Sequence, residues 1–121
     1  VSTMFLRSQP PPVKALIDAD AAVALATDFN PGTSPCLSMS EVIAVGASLY
    51  GIPTHTALVA STINAAWVLG LHDACGSLEP GKRADFVVLD EEDPAMIAYR
   101  PGHNPVRETW IAGQKVFSAR A

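Results

Sequence analysis

The sequence predicts an α/β fold in which a helix-rich first part, residues 1–75, is followed by a small β unit, residues 76–121. Two patterns lead to this prediction. In the first part an amphipathic segment is followed by an unbroken apolar run, which is the order of a βαβ unit with a buried parallel strand. In the second part three segments rich in β-branched and aromatic residues are separated by turn signals, which is typical of strands.

The N-terminal elements are predicted as strand, helix and strand. Residues 1–6 have the pattern of a short strand that ends before the prolines at 10–12, because proline cannot continue a strand ladder but suits the first turn of a helix. Residues 13–18 then place their apolar side chains on one helical face. Residues 21–26 show no polar alternation, so they fit a strand that is buried on both faces.

The middle of the chain is predicted to be helical. Ser38 and Glu41 form the pattern of a capping box at the start of a helix that runs to about Tyr50 and is ended by Gly51. Thr54 can cap a second helix, and either Ser61 or Thr62 can cap a third.

The last third is predicted to contain three strands. The Pro–Gly pair at 80–81 indicates a type II turn, because glycine supplies the positive φ that this turn requires. Residues 84–90 follow as a strand, and residues 106–112 and 114–118 form a predicted hairpin.

The composition narrows the range of partners. The chain is 49% hydrophobic and 17% charged, whereas about a quarter of a soluble domain is usually charged. We therefore expect apolar faces that are covered by another subunit or by another part of the same protein. The apolar runs are shorter than the roughly 20 residues of a spanning helix, so no membrane segment is expected. The net charge is −4 with no basic cluster, so nucleic acid is not an expected partner.

The remaining global features concern location and the chain's start. Cys36 and Cys75 form no C-x-x-C motif, which fits the reducing cytoplasm. The N-terminus has no signal-peptide pattern and no initiator methionine. We therefore expect a cytoplasmic protein whose reading frame begins upstream of Val1.

Asp28 is the candidate catalytic and metal-binding residue. It closely follows the predicted buried strand, and the C-terminal ends of barrel strands face the mouth where such folds keep their active sites. A carboxylate there can bind a divalent metal and accept a proton from water that the metal activates. An Asp ahead of a Pro–Gly loop can equally be an Asx-turn or cap residue, and the same holds for Asn30. Backbone N–H groups beside Gly32 would suit a carboxylate or an oxyanion.

The sequence offers no obvious companions for Asp28. His55, His72 and His103 have neither the H-x-H nor the H-x-x-x-H spacing, and a metal needs three or four protein ligands. The chain also lacks the G-x-S-x-G, P-loop and G-x-G-x-x-G motifs of serine hydrolases, NTPases and dinucleotide-binding proteins.

Two segments resemble a known enzyme family. Residues 76–88, GSLEPGKRADFVV, are similar to the segment by which amidohydrolase-superfamily enzymes pass from their (β/α)8 barrel to a small β-sandwich. Residues 24–35, ALATDFNPGTSP, resemble the loop after the eighth barrel strand of the imidazolonepropionase family. Residues 62–66 and 104–107 are similar to the C-terminal region of that family. The resemblance covers nearly the whole chain, from about the seventh barrel strand onward.

The resemblance implies a C-terminal fragment of a metal-dependent (β/α)8 amidohydrolase barrel, with part of its small β-sandwich domain. It implies hydrolysis of the cyclic amide of 4-imidazolone-5-propanoate to N-formimidoyl-L-glutamate in histidine degradation. Asp28 would be a ligand to zinc or iron and would help to activate the attacking water. Asn30 and Gly32 would contact the glutamate-like product, and Thr33 the imidazolone substrate. The other metal ligands and substrate-binding residues of the family lie upstream of Val1.

Several expectations follow from this resemblance. The chain alone should be inactive, and its two orphaned barrel strands should pair with another copy in a homo-oligomer. The partners expected are therefore a small-molecule substrate and a second copy of the chain. Two alternatives stay open: another cyclic amidase or deaminase of the superfamily, and a non-catalytic interaction module derived from one.

Overall fold

The computed structural model describes residues 1–119 and combines helices with a small antiparallel sheet. The helices within these residues are α1 (Ser2–Leu6), α2 (Val13–Asp18), α3 (Met39–Tyr50), α4 (Thr54–Ala60), α5 (Ile63–Val68) and α6 (Met96–Tyr99). The strands are β1 (Phe86–Leu89), β2 (Val106–Ile111) and β3 (Gln114–Ser118).

The prediction of a strand at residues 1–6 is wrong, because these residues form helix α1. The backbone N–H groups of Met4 and Phe5 both donate to the carbonyl of Val1, and Arg7 ends the helix in the left-handed region at φ 50°. Backbone polar groups must find partners, and no strand of the described chain lies beside this segment. Local helical hydrogen bonds satisfy them instead.

The prediction of a strand at residues 21–26 is also wrong, since the segment has no regular secondary structure. Its side chains alternate between exposed and partly buried positions, so only one side is covered. Two hydrogen bonds attach the segment to the helices: Leu25 N–H donates to the Ala60 carbonyl at 2.9 Å, and Asn64 Nδ2 donates to the Val23 carbonyl at 2.9 Å.

The helices predicted in the middle of the chain are confirmed, but only one of their predicted caps is. The Ser38 hydroxyl accepts the Glu41 N–H at 3.3 Å at the start of α3. The reciprocal half of the capping box is absent, because the Glu41 carboxylate accepts the backbone N–H of Gly102 instead. Thr54 makes no capping hydrogen bond for α4.

Ser61 and Thr62 likewise do not cap α5. Their hydroxyl groups donate backwards to the carbonyls of Ala57 at 2.7 Å and Leu58 at 2.8 Å in the preceding helix. Such local hydrogen bonds compete with capping. Helix α2 occupies the predicted residues, and its Val13 is buried. Helix α6 was not predicted.

The hydrophobic core lies between α2, α3, α4 and α6. Its buried members are Val13, Ile43, Ile52, Ala57 and Ile97. Val23 and Leu25 pack against this cluster, so the core fixes the segment that leads to Asp28.

The predicted strands of the last third are confirmed and form one sheet in the order β1-β2-β3. Both strand pairs are antiparallel. Phe86 on β1 lies opposite Trp110 on β2, and their rings stack at 5.5 Å between centroids. The turn between β2 and β3 has positive φ at both Ala112 and Gly113, which is the geometry of a tight hairpin. Gly81 also has the positive φ that the predicted type II turn requires.

None of the helices within residues 1–119 has the length and apolar character needed to cross a membrane.

Candidate functional site

Asp28 lies on the surface, directly after the segment that the core anchors. Its backbone has φ 50°, in the left-handed region that few residues other than glycine occupy. Aspartate tolerates this region better than most residues, but the conformation still has a cost. The exposed carboxylate is therefore presented by a backbone that other contacts must hold.

Two such contacts meet at Asp28. The Ser2 hydroxyl donates to Oδ2 of Asp28 at 2.9 Å. Asn30 Nδ2 donates to the backbone carbonyl of Asp28 at 2.8 Å. The first contact orients the side chain and the second holds the main chain. Within the described residues Oδ1 of Asp28 accepts no hydrogen bond.

Asn30 organises the loop that follows Asp28. Its Oδ1 accepts the Gly32 N–H at 3.0 Å, the Thr33 N–H at 2.8 Å and the Thr33 hydroxyl at 3.1 Å. The Asx-turn alternative is therefore realised at Asn30. The structure brings Asp28, Asn30, Gly32 and Thr33 together in one hydrogen-bonded loop.

Ser34 closes this loop and was not identified from the sequence. It is fully buried, and its hydroxyl donates to the Thr27 carbonyl at 2.6 Å. Asn30 and Ser34 also exchange backbone hydrogen bonds at 3.0 and 3.3 Å. A serine between a threonine and a proline carries no local signal of burial, so only the folded loop reveals its role.

The hydrogen-bond capacity that remains for a ligand is limited. The amide of Asn30 has one N–H left, since the other is donated to Asp28. The Gly32 N–H is already donated to Asn30. The hydroxyl oxygen of Thr33 donates its hydrogen to Asn30 and can still accept one from a ligand.

The histidines occupy other places. His72 stacks on Trp67 with 4.9 Å between ring centroids, and His55 contacts Thr56. Within residues 1–119 no group of three or more His, Cys, Asp and Glu side chains is arranged to hold a metal ion. Asp28 is therefore a single candidate ligand, and the described residues do not complete a metal centre around it.

The carboxyl groups with displaced pKa values lie in the β part and not in the Asp28 loop. Hydrogen bonds from Arg83 and from the Ala112 N–H lower the pKa of Asp85. A hydrogen bond from the Trp110 indole lowers the pKa of Glu108, to which Lys115 also contributes. Asp85, just before β1, accepts the Ala112 N–H in the turn between β2 and β3, and Lys115 on β3 contacts Glu108 on β2, so these two contacts support the sheet.

Two of the three cavities beside α3 within residues 1–119 are the more spacious, and neither is lined by residues 28–33. One, of about 400 Å³, lies between α3, α4 and α6. The other, of about 610 Å³, is lined by the first turn of α3 and by Gly102, Asn104 and Val106. The Asp28 loop therefore does not open into either of them.

The chain is similar to proteins of one family along nearly its whole length. The profile described as "Amidohydrolase family" matches residues 3–117. The imidazolonepropionase of Agrobacterium fabrum is 50% identical over 108 residues, which are 89% of this chain and 26% of that protein. The imidazolonepropionase of Deinococcus deserti is 47% identical over 114 residues, which are 94% of this chain and 28% of that protein. The chain thus spans about a quarter of the length of these curated relatives.

Solved structures agree on the fold. An adenosine deaminase from Xanthomonas campestris with bound zinc superposes with a TM-score of 0.77 at 29% identity, over 94% of this chain and 30% of that one. An amidohydrolase from Thermotoga maritima superposes with a TM-score of 0.69 at 33% identity, over 88% of this chain and 26% of that one. The guanine deaminase of E. coli has a TM-score of 0.77 at 22% identity, covering 98% of this chain and 33% of that one, which is a similarity of fold alone.

Proposed function

Because the chain belongs to the amidohydrolase family, we propose that it is the C-terminal part of a metal-dependent enzyme that hydrolyses the cyclic amide of 4-imidazolone-5-propanoate to N-formimidoyl-L-glutamate. The observation that supports this reaction over others is the 50% identity to a curated imidazolonepropionase across 89% of the chain. Within that stretch, Val23 and Leu25 pack against the core, and the segment they belong to leads to Asp28 at the surface.

In this proposal Asp28 is one ligand of a zinc or iron ion and accepts a proton from the attacking water. The unengaged Oδ1 of its carboxylate suits a hard or borderline cation. A divalent metal in such a site supplies electrophilic activation of water and of the scissile carbonyl. One carboxylate does not hold such an ion, so the remaining ligands must come from residues beyond 1–119.

The loop after Asp28 is proposed to bind the organic part of the substrate or product. Asn30 can donate its remaining N–H to a carboxylate, and Thr33 can accept a hydrogen bond from a ring N–H. Gly32 is proposed to contribute close approach of the backbone, since its N–H is donated to Asn30. The loop is preorganised by its own hydrogen bonds, which limits the ordering cost when a ligand binds.

Deamination is a second candidate reaction, because one observation favours it. The zinc-containing adenosine deaminase shares the fold at 29% identity over 94% of this chain. In a deaminase of the superfamily, Asp28 would have the same role in activating water, and the substrate would be a purine. The identity to imidazolonepropionases is higher over a comparable length, so the cyclic amide is the favoured substrate.

Two grafts test the proposal. In the imidazolonepropionase graft, residues 1–121 replace the matching segment of the Agrobacterium fabrum protein. In the deaminase graft, they replace the matching segment of the Xanthomonas campestris protein. We expect turnover of imidazolone propionate by the first graft, no adenosine deamination by the second, and no activity from the chain alone. A folded first graft without activity, together with an active second graft, would favour the deaminase.

A further inference from the structure

Ser34 closes the loop that carries the proposed substrate contacts. It is fully buried in a loop whose next residue, Pro35, is exposed, and its hydroxyl donates to the Thr27 carbonyl at 2.6 Å. We propose that Ser34 is a positioning residue, which holds Asn30 and Thr33 in the arrangement that binds the organic part of the substrate. This inference rests on the proposed function of the loop.

The backbone of Ser34 closes the loop at one point. Asn30 N–H donates to the Ser34 carbonyl at 3.0 Å, and Ser34 N–H donates back to the Asn30 carbonyl at 3.3 Å. Each of these two residues precedes a proline, which favours the extended backbone that an antiparallel pair needs. The residues between them, 31–33, are thereby confined to a tight turn.

The hydroxyl of Ser34 attaches this turn to the chain that precedes it. Its bond to Thr27 spans seven positions, and the Thr27 carbonyl belongs to the peptide group just before Asp28. Asn30 Nδ2 holds the next carbonyl, that of Asp28, at 2.8 Å. The two contacts constrain the peptide groups on both sides of a residue with φ 50°, a conformation that persists only where the surroundings maintain it.

The consequence for binding is a smaller closed fraction of the loop when the hydroxyl is removed. The partly buried Thr27 carbonyl then loses its donor, which is costly. Neither Thr27 nor Ser34 belongs to the hydrophobic core, so opening of the loop relieves this cost without unfolding of the chain. The apparent affinity for a ligand falls with the fraction of competent molecules. A loop that is closed in about a third to a tenth of them binds about 3- to 10-fold more weakly.

Two substitutions at Ser34 remove the contact, and a third substitution elsewhere is the control. Ser34→Ala deletes the hydroxyl, whereas Ser34→Cys keeps a side chain of similar size with only a weak donor. The cysteine variant fills the buried site, so it tests the hydrogen bond if the alanine variant does not fold. Ser48→Ala is the matched control. The Ser48 hydroxyl also donates to a backbone carbonyl, that of Ala44 at 2.7 Å, but it lies within α3.

The first measurement uses the chain itself and needs no substrate. Hydrogen exchange followed by NMR reports how often the backbone N–H groups of Asn30 and Thr33 lose their partners. We expect both groups to lose most of their protection in the Ser34 variants and to keep it in Ser48→Ala. Unchanged protection in folded Ser34 variants would overturn the inference and leave the proposed function intact.

The second measurement separates KM from kcat for imidazolone propionate in the imidazolonepropionase graft. Bound substrate restores the closed loop, so KM should rise about 3- to 10-fold in both Ser34 variants while kcat changes by less than about twofold. A role in the general stability of the fold would not produce this split. Equal KM values in active, folded grafts with and without the Ser34 substitutions would overturn the inference and leave the proposed function intact.

The two measurements together separate this inference from the proposed function. A graft that retains Ser34 and still does not turn over imidazolone propionate would count against the proposed function. Lost protection of Asn30 and Thr33 in the Ser34 variants of the chain would, in that case, still support the positioning of the loop by Ser34.

Discussion

The side-chain amide of Asn64 donates to the backbone carbonyl of Val23 at 2.9 Å, which ties the segment leading to Asp28 to helix α5. This contact spans 41 positions of sequence. Together with the bond between Leu25 and Ala60, it holds a segment that lacks a neighbouring strand. The position of the candidate site thus depends on the helices as much as on its own loop.

Asn64→Ala should lower the free energy of unfolding by about 1–3 kcal/mol, because a partly buried carbonyl loses its donor. Urea unfolding followed by circular dichroism measures this change. Gln9→Ala is the control, since Gln9 is exposed and its side chain makes no hydrogen bond to the described residues. Equal stability of the two variants would show that the Val23 carbonyl does not need Asn64.

Gly76→Ala should be much more damaging than Gly70→Ala. Both glycines have positive φ, 96° and 69°. A Cβ at Gly76 would lie 2.6 Å from the Cβ of Ala66 and 3.0 Å from the Cα of Ile63, whereas nothing lies within 4 Å of one at Gly70. We expect a loss of about 1–2 kcal/mol at Gly70 and a further 1–3 kcal/mol at Gly76. Thermal unfolding of both variants decides whether the contact, and not φ alone, requires glycine.

Stability should fall at low pH partly through Asp85. Hydrogen bonds from Arg83 and from the Ala112 N–H lower its pKa in the folded state, so the ionised form stabilises the fold. That contribution is present above the pKa of the unfolded chain, about 3.9, and is lost as the pH falls through the lower folded value. Asp85→Asn should therefore flatten the loss of stability below about pH 4.

The matched control for this experiment is Asp90→Asn, because the side chain of Asp90 makes no hydrogen bond to the described residues. Urea midpoints measured at about pH 5 and about pH 2.5 should change less in Asp85→Asn than in Asp90→Asn. Identical changes in the two variants would mean that Asp85 is not linked to folding.

The chain should self-associate at micromolar concentration. In the segment at residues 21–26, Ala21, Ala22, Ala24 and Ala26 are exposed, and Trp67 and Leu69 are 62% and 70% exposed. Multi-angle light scattering should give a mass of at least two chains. Ala24→Lys places a charge on the exposed side of the segment and should favour the monomer, whereas Ala74→Lys, at an exposed site elsewhere, should not. A monodisperse monomer of the unmodified chain would contradict this expectation.

The elements that the sequence predicted correctly are those with local signals. Helix α3 begins at the predicted cap Ser38 and ends at a glycine with φ 65°. The β2–β3 hairpin follows from its turn residues. The predictions of strands at residues 1–6 and 21–26 were wrong because a strand forms only beside a neighbouring strand. The described chain has no strand beside either segment. Helix α6 has four residues, too few for a periodic pattern.

The candidate site was predictable in its residues and not in its contacts. The pattern from Asp28 to Thr33 identified the loop, and the structure brings these residues together. The Ser2 contact and the burial of Ser34 depend on how distant parts of the chain meet, which no local pattern encodes. The roles of the loop residues Asp28 to Thr33 in substrate and metal binding stay predictions.

The measurement that tests the central claim most directly is the kcat of the imidazolonepropionase graft with Asp28→Asn. Asn keeps the size of the side chain but removes the charge that would bind the metal and the base that would accept the proton. We expect kcat to fall at least about 100-fold with loss of bound metal. Asp20→Asn is the control, because Asp20 is also exposed and also has a positive φ, 55°. An Asp28→Asn graft that keeps its metal and its kcat would contradict the account.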